Sequence, residues 1–221
     1  MERRARVEAL YDEIFAHYRP RDPALVRRRL VPDSLESRVV LLGQALGRDT
    51  QRLSGLPYCI PPPEHPTLSR GGRELDRFLT SFGYTIQPGG RGQYAYHTDL
   101  AHYFPGRKAR GTGDLEPTAT EIEHNRRWLL SELRIIHPAV VIMLGLCPSS
   151  VFLERYASLP RVHRLRDVAA EPIPCMAAGH KLHDVGVHHP SGAFQHPQSR
   201  QTYTRAAANV RRLLEEDKYA R

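Results

Sequence analysis

Cysteine is rare in this chain: three among 221 residues, at positions 59, 147 and 175. They form no CxxC pair and no disulfide framework, which excludes a small cross-linked secreted scaffold and points to a reducing compartment. Long hydrophobic runs are missing as well. None approaches the roughly 20 apolar residues of a membrane-spanning helix, and the opening MERRARVEAL has no apolar signal core. The expectation is a soluble, intracellular protein with no membrane partner. A Gly-x-Ser-x-Gly elbow is absent, which argues against an α/β-hydrolase nucleophile. Acidic residues are the minority, 24 against 32 lysines and arginines, so the formal charge is +8 and the pI about 9.7. Such a balance points to a polyanionic partner and says nothing of fold. An arginine-rich composition alone accounts for it equally well.

What is present is an alternation of amphipathic stretches and apolar runs. Residues 3–18 carry Val7, Leu10, Tyr11, Ile14 and Phe15 on one stripe, a helix. Pro20 and Pro23 end it, and a second short helix is expected over 24–30. Residues 39–42 read as a buried strand of a parallel sheet that stops at Gly43. A polar loop follows and ends in Gly55-Leu56-Pro57-Tyr58. Four prolines between positions 61 and 66 make a stiff insert. Further on come a helix over 70–82, a turn at 89–92 and a strand over 94–100 that closes in His97-Thr98-Asp99. The loop 103–116 is basic and glycine-rich; its Arg107, Lys108 and Arg110 either meet phosphates or are simply solvated. Thr118 and Glu121 form a capping box for a helix to about Ile136. A strand at 138–145, a short helix at 148–159, one strand plus a loop in 162–178, a strand at 185–192 and a closing amphipathic helix at 198–217 complete the chain. This order predicts an α/β protein, a three-layer α/β/α sandwich around a short central parallel sheet. The length suits a single domain over 1–221, with the N-terminal helices of residues 1–35 packed on it.

Three predicted strand ends carry polar groups: Gln44, Asp99 and His189. In an open α/β sheet the carboxyl ends of strands are where ligands bind, and Gly43 lets backbone approach closely. With Tyr58 as a stacking face, the set fits a pocket for a planar, polar ring. Metal binding is the other reading of twelve histidines, five of which (180, 183, 188, 189 and 196) fall near the C-terminus. No ligand spacing on one helical face supports it, and no metal is expected.

The motifs together resemble the uracil-DNA glycosylase superfamily, nearest to its bacterial and archaeal family 4 branch. That branch shows Gly-Glu-Ala-Pro-Gly followed by Gly-x-Pro-Phe; here stand Gly43-Gln44-Ala45-Leu46-Gly47 and Gly55-Leu56-Pro57-Tyr58. Its glycine-rich helix start is echoed by Arg70-Gly71-Gly72-Arg73-Glu74-Leu75-Asp76, and its Thr-Asn strand end by Thr98-Asp99. Pro117-Thr118-Ala119-Thr120-Glu121-Ile122, Leu144-Gly145 and His189-Pro190-Ser191 follow in order. The likeness runs from about residue 38 to residue 214. It implies a uracil-DNA glycosylase-like fold and a DNA glycosylase that flips a deaminated base and hydrolyses its N-glycosidic bond in base excision repair. Gln44 would orient water and His189 would donate to the base O2 as charge develops there. Gly43, Ala45, Tyr58 and Asp99 would hold the base. Ser191, Gly192 and the basic loop would hold DNA, with Ala193 or Phe194 filling the gap in the stack. The partner implied is DNA with a damaged or deaminated base, met by a monomer in the cytoplasm, at the bacterial nucleoid.

The chain departs from that pattern at three places. Family 4 holds an iron–sulfur cluster on four cysteines, whereas two of the corresponding positions are Tyr103 and Asn125 and no cysteine precedes Arg38. Such a cluster needs thiolates, so no cofactor is expected and packing of the N-terminal helices replaces it. The base-reading asparagine is Asp99. An ionised carboxylate only accepts hydrogen bonds, so Asp99 is either protonated by burial, mimicking the amide, or it selects a base other than uracil. Gln44 replaces a carboxylate and is a poor base. These last two changes leave a second reading open, a non-catalytic DNA-binding paralogue that retains the pocket.

Overall fold

Residues 39–42 and Val140–Leu144 lack any polar alternation because both faces of their strands are covered. The computed structural model describes residues 2–48, 50–62, 66–109, 114–190 and 197–219. Its main sheet joins β1 (Val39–Ala45), β6 (Tyr96–Ala101), β7 (Val140–Leu144), β8 (Pro172–Ala177) and β9 (His180–Val187) in the order β6-β1-β7-β9-β8. Two small pairs lie outside it: β2 (Cys59–Ile60) with β3 (Thr67–Leu68), antiparallel, and β4 (Tyr84–Thr85) with β5 (Gln93–Tyr94), parallel. The four strands from β6 to β9 in that order run parallel.

The helices make the outer layers. Helices α1 (Arg3–Tyr18) and α4 (Ala119–Ile136) cover one face, where Val7, Leu10, Trp128 and Leu133 pack on Val40, Leu42 and Met143. Helices α3 (Arg70–Thr80) and α6 (Pro197–Tyr219) cover the other, where Leu75, Leu79, Tyr203 and Val210 pack on Leu41, Ile142 and Val185. Two shorter helices, α2 (Gln51–Ser54) and α5 (Leu146–Val151), follow β1 and β7. The capping box expected at α4 is formed: the Thr118 hydroxyl accepts from the Glu121 amide and Glu121 accepts from the Thr118 amide. No helix among the described residues is long and apolar enough to cross a membrane.

The structure corrects the sequence reading at several points. Residues 24–30 are not helical. Their amides turn outward to the next segment: Val26 N–H donates to the Arg52 carbonyl and Arg29 N–H to that of Gly55, both at 2.9 Å. The sheet is not wholly parallel, since β8 pairs antiparallel with β9 at the edge. It is the one strand expected within 162–178, and its Pro172 and Pro174 are tolerated because it lies at the edge. The strand read over 94–100 begins at Tyr96, because Gln93 and Tyr94 pair with β4 instead. The last strand begins early, at His180, and the helix after β7 passes into a π-helical turn, Phe152–Tyr156.

Asp184 in β9 is fully buried, and neither carboxyl oxygen has a hydrogen-bond partner among the described residues. Burial pushes its pKa well above the usual carboxylate value, so the native state keeps a proton that the unfolded chain releases near pH 4. A raised pKa gives stability that is complete below the unfolded value and is lost as pH rises. Asp184→Asn is therefore expected to gain on the natural chain by about 1.4 kcal/mol per pH unit above pH ~4, until the native carboxyl titrates. Urea midpoints at pH 4, 5 and 6 measure the gap; a constant gap would contradict a buried neutral Asp184.

Candidate functional site

Register builds the floor of the site. Gly43 lies opposite Asp99 and Leu41 opposite His97 in the β1–β6 pair. Alternation along a strand puts His97 and Asp99 on one face and Tyr96 and Thr98 on the other. A Cβ at Gly43 would stand 2.2 Å from Asp99 Oδ1 and 3.3 Å from His97 Nε2. The carboxyl of Asp99 thus occupies the room that glycine leaves.

Tyr58 makes the wall. Its backbone is left-handed, at φ 56°, and its carbonyl accepts from the Ser69 amide at 2.8 Å. Ser69 caps α3, its hydroxyl accepting from Gly72 N–H at 3.1 Å. A Cβ on Gly72 would lie 2.8 Å from the Tyr58 oxygen, so only glycine lets the helix start this close. The Tyr58 ring meets His97 edge-on at 5.8 Å between centroids and His189 at 6.3 Å with a 42° tilt.

His189 stands just beyond β9, at the rim. The carbonyl of the preceding His188 accepts from the Tyr203 hydroxyl at 2.6 Å, which ties the turn to α6. The residue is exposed to solvent, yet the protein packed around the ring disfavours charge and lowers its pKa. Gln44, half-buried near the end of β1, reaches across toward the 103–116 loop, its Nε2 3.5 Å from the Leu115 carbonyl.

These side chains share one cleft of about 520 Å³, lined by Gly43, Gln44, Ala45, Tyr58, Asp99 and His189 together with His97, Arg70 and Leu115. All six residues that the sequence reading assigned to the base and its chemistry meet there. Arg107 and Lys108 do not: both are exposed, and the backbone of Arg107 pairs with that of Asp114 in an isolated antiparallel β-bridge. Arg110, Ser191, Gly192, Ala193 and Phe194 lie outside the described residues. His97 was missed by sequence reading, although its place two residues before Asp99 on a strand was signal enough for a shared face.

Burial pushes the Asp99 carboxyl up to about 7; the charge of Arg28 opposes this and that of Glu132 adds to it. Its Oδ2 has no hydrogen-bond partner among the described residues, His97 Nδ1 being 3.8 Å away. Burial, then the Arg28 charge, hold His97 well below the usual histidine value. At neutral pH the floor is therefore a neutral imidazole beside a carboxyl close to its midpoint.

Behind the sheet, Glu132 of α4 fixes the same strand from its other face. It is fully buried and accepts from Tyr96 Oη at 2.8 Å, from Arg28 at 2.7 Å and from the Thr98 hydroxyl. The Arg28 guanidinium lies over the rings of Tyr11, at 4.6 Å, and Tyr96, at 5.2 Å. Burial works against its charge, but Tyr11, Glu132 and Tyr96 outweigh this and raise its pKa.

Tyr103 and Asn125, where the resemblance places cluster cysteines, are engaged otherwise. Asn125 Nδ2 donates to Tyr18 Oη at 2.7 Å, its Oδ1 accepts from the His102 amide at 3.0 Å, and Tyr18 stacks on Tyr103 at 5.2 Å. A donor set without a thiolate does not fit an iron–sulfur cluster. No three His, Cys, Asp or Glu side chains among the described residues are placed to hold a metal ion.

A family model described as the uracil DNA glycosylase superfamily matches residues 31–211. A type-4 uracil-DNA glycosylase from Archaeoglobus fulgidus is 24% identical over 169 residues, which cover 76% of this chain and 72% of that protein.

Proposed function

Because the chain belongs to the uracil DNA glycosylase superfamily, we propose that it removes a deaminated base, uracil or a close relative, from DNA. One observation carries this reading: the buried Asp99 carboxyl faces Gly43 in a cleft whose wall is Tyr58 and whose rim is His189. A nucleotide flipped from the stack lays its ring on Tyr58. Protonated Asp99 has both halves of an amide: its O–H donates to uracil O4, and its carbonyl accepts from N3–H. As the N-glycosidic bond breaks, the bonding electrons pass to the base, and neutral His189 donates an N–H to O2, where the negative charge gathers. The sugar is left cationic at C1′. Gln44 orients a water that bonds to that carbon and gives up its proton to solvent. Glutamine is a weak base, so the water attacks a sugar that is already cationic. Around the pocket, Arg107, Lys108 and Arg110 meet phosphates, Ser191 and Gly192 hold the backbone beside the flipped nucleotide, and Ala193 or Phe194 fills the vacated stack. In this reading the protein acts as a monomer, without a cofactor, in base excision repair in the bacterial cytoplasm.

The test is direct. Labelled oligonucleotides carrying uracil, hypoxanthine or xanthine, single- and double-stranded, are incubated with the protein and then treated with alkali. Strand breaks at uracil are expected. No breaks with any base, alongside salt-sensitive DNA binding, would establish the non-catalytic paralogue that Gln44 keeps in play. A companion expectation concerns Gly43→Ala. The added methyl claims the space of Asp99 Oδ1, and a displacement of about 1 Å at a reacting site costs on the order of 100-fold. Base release is expected to fall by about that factor, with the circular dichroism of the fold unchanged.

A further inference from the structure

A second, larger depression, of about 850 Å³, runs between α3 and α6. Arg70 and Gly71 line both it and the cleft, and Pro190, next to His189, also lines it. The two therefore adjoin. The floor of the groove is apolar, with Phe78, Tyr203 and Ala207. Its walls are cationic: Arg70 and Arg77 from α3 and Arg200 and Arg211 from α6, all exposed, stand with one carboxylate among the described lining residues, Glu74.

Helical spacing explains the alignment. Seven residues separate Arg70 from Arg77 and eleven separate Arg200 from Arg211, intervals close to two and three full turns, so each pair shares one side of its helix. The rows extend about 10 Å and about 16 Å along the helices. Arg77 pairs with Glu74 at 2.7 Å on the surface, and Arg211 donates to the Ser81 carbonyl. These contacts hold both guanidinium groups at the groove, and the carbonyl contact neutralises no charge.

We infer that this groove is the track for the sugar–phosphate backbone of the DNA strand that flanks the flipped nucleotide. The inference rests on the proposed function and extends its substrate from one base to a length of strand. Guanidinium groups are permanently charged and match phosphate oxygens in pairs. A row of about 16 Å is long enough to meet about two or three successive phosphates of one strand. No base edge is read there, so the groove supplies affinity and register but no choice of base.

The double variant Arg77→Gln/Arg211→Gln tests it; neither residue lines the cleft. Binding of the natural chain and the variant to an undamaged fluorescent duplex is titrated between 50 and 200 mM salt. The slope of log K against log salt is expected to become shallower by about 1.8, or about 0.9 per lost phosphate contact. Arg77→Lys/Arg211→Lys is expected to restore the slope, which a merely structural role would not produce. An unchanged slope and affinity in the glutamine variant overturns the inference, as does a natural chain that binds no DNA. The inference is equally overturned if an acidic peptide, but not duplex, responds to the substitutions. Uracil release by the natural chain is scored separately: a protein that binds duplex through the groove yet releases no base refutes the enzymatic reading and leaves the track standing.

Discussion

Asp99→Asn is expected to release uracil faster than the natural chain at pH 8.5, by roughly tenfold or more, and at a similar rate at pH 6. Burial lifts the Asp99 carboxyl to about 7, and only the protonated form donates to O4. Each pH unit above that value removes about nine-tenths of the competent form, so at pH 8.5 about one molecule in thirty is ready. An amide keeps its donor at every pH. The difference between the two profiles belongs to Asp99, because His189, whose pKa burial lowers, is the same in both proteins. Single-turnover release from a uracil duplex between pH 6 and 9 gives both profiles. A natural-chain rate that rises with pH, with an inert asparagine variant, would show that the ionised carboxylate is the working form and that the preferred base offers it donors alone, as an exocyclic amine does.

Glu132→Leu is expected to lose about 3–5 kcal/mol of stability. For a chain of this length that is a fall in melting temperature on the order of 10 °C. The loss exceeds one hydrogen bond because the substitution strands several groups at once. Arg28 is left charged with its side chain only 13% exposed, and the hydroxyls of Tyr96 and Thr98 lose their acceptor. Leaving one buried charge without its partner is the costly step, whereas replacing both by apolar groups of similar volume is often neutral. Arg28→Met/Glu132→Leu is therefore expected to recover most of the loss, and calorimetry of the two single variants and the double measures it. Additive losses would show that the two charges are not coupled.

The main layers and the residues that meet in the cleft could be read from the sequence because they depend on local pattern. The buried strands show as unbroken apolar runs, α4 announces itself by Thr118 and Glu121, and Gly43, Tyr58, Asp99 and His189 stand at strand or loop ends within short motifs. What escaped depends on long-range partners. Arg28 and Glu132 are 104 residues apart, and nothing near Arg28 marks it as buried; it sits in a stretch that reads as helix, although Val26 and Arg29 donate instead to carbonyls in the segment around α2. Tyr203 reads as one more apolar position of α6, and only the fold brings its hydroxyl to the His188 carbonyl. A strand was legible within 162–178, but its antiparallel pairing with β9 was not, since that depends on a partner strand. The α3–α6 groove needs two helices more than a hundred residues apart, so its four arginines look like ordinary surface charge in the sequence.

Tyr58 carries a last consequence. A non-glycine residue in left-handed backbone costs about 1–2 kcal/mol, and here it is held by the Ser69 amide and by a helix start that Gly72 admits. The aromatic platform is thus set during folding, and the entropy of ordering it is not spent again at each encounter. A protein that inspects many sound nucleotides for every altered one gains most from such an arrangement, because rejected visits end quickly and nothing has to be rebuilt before the next.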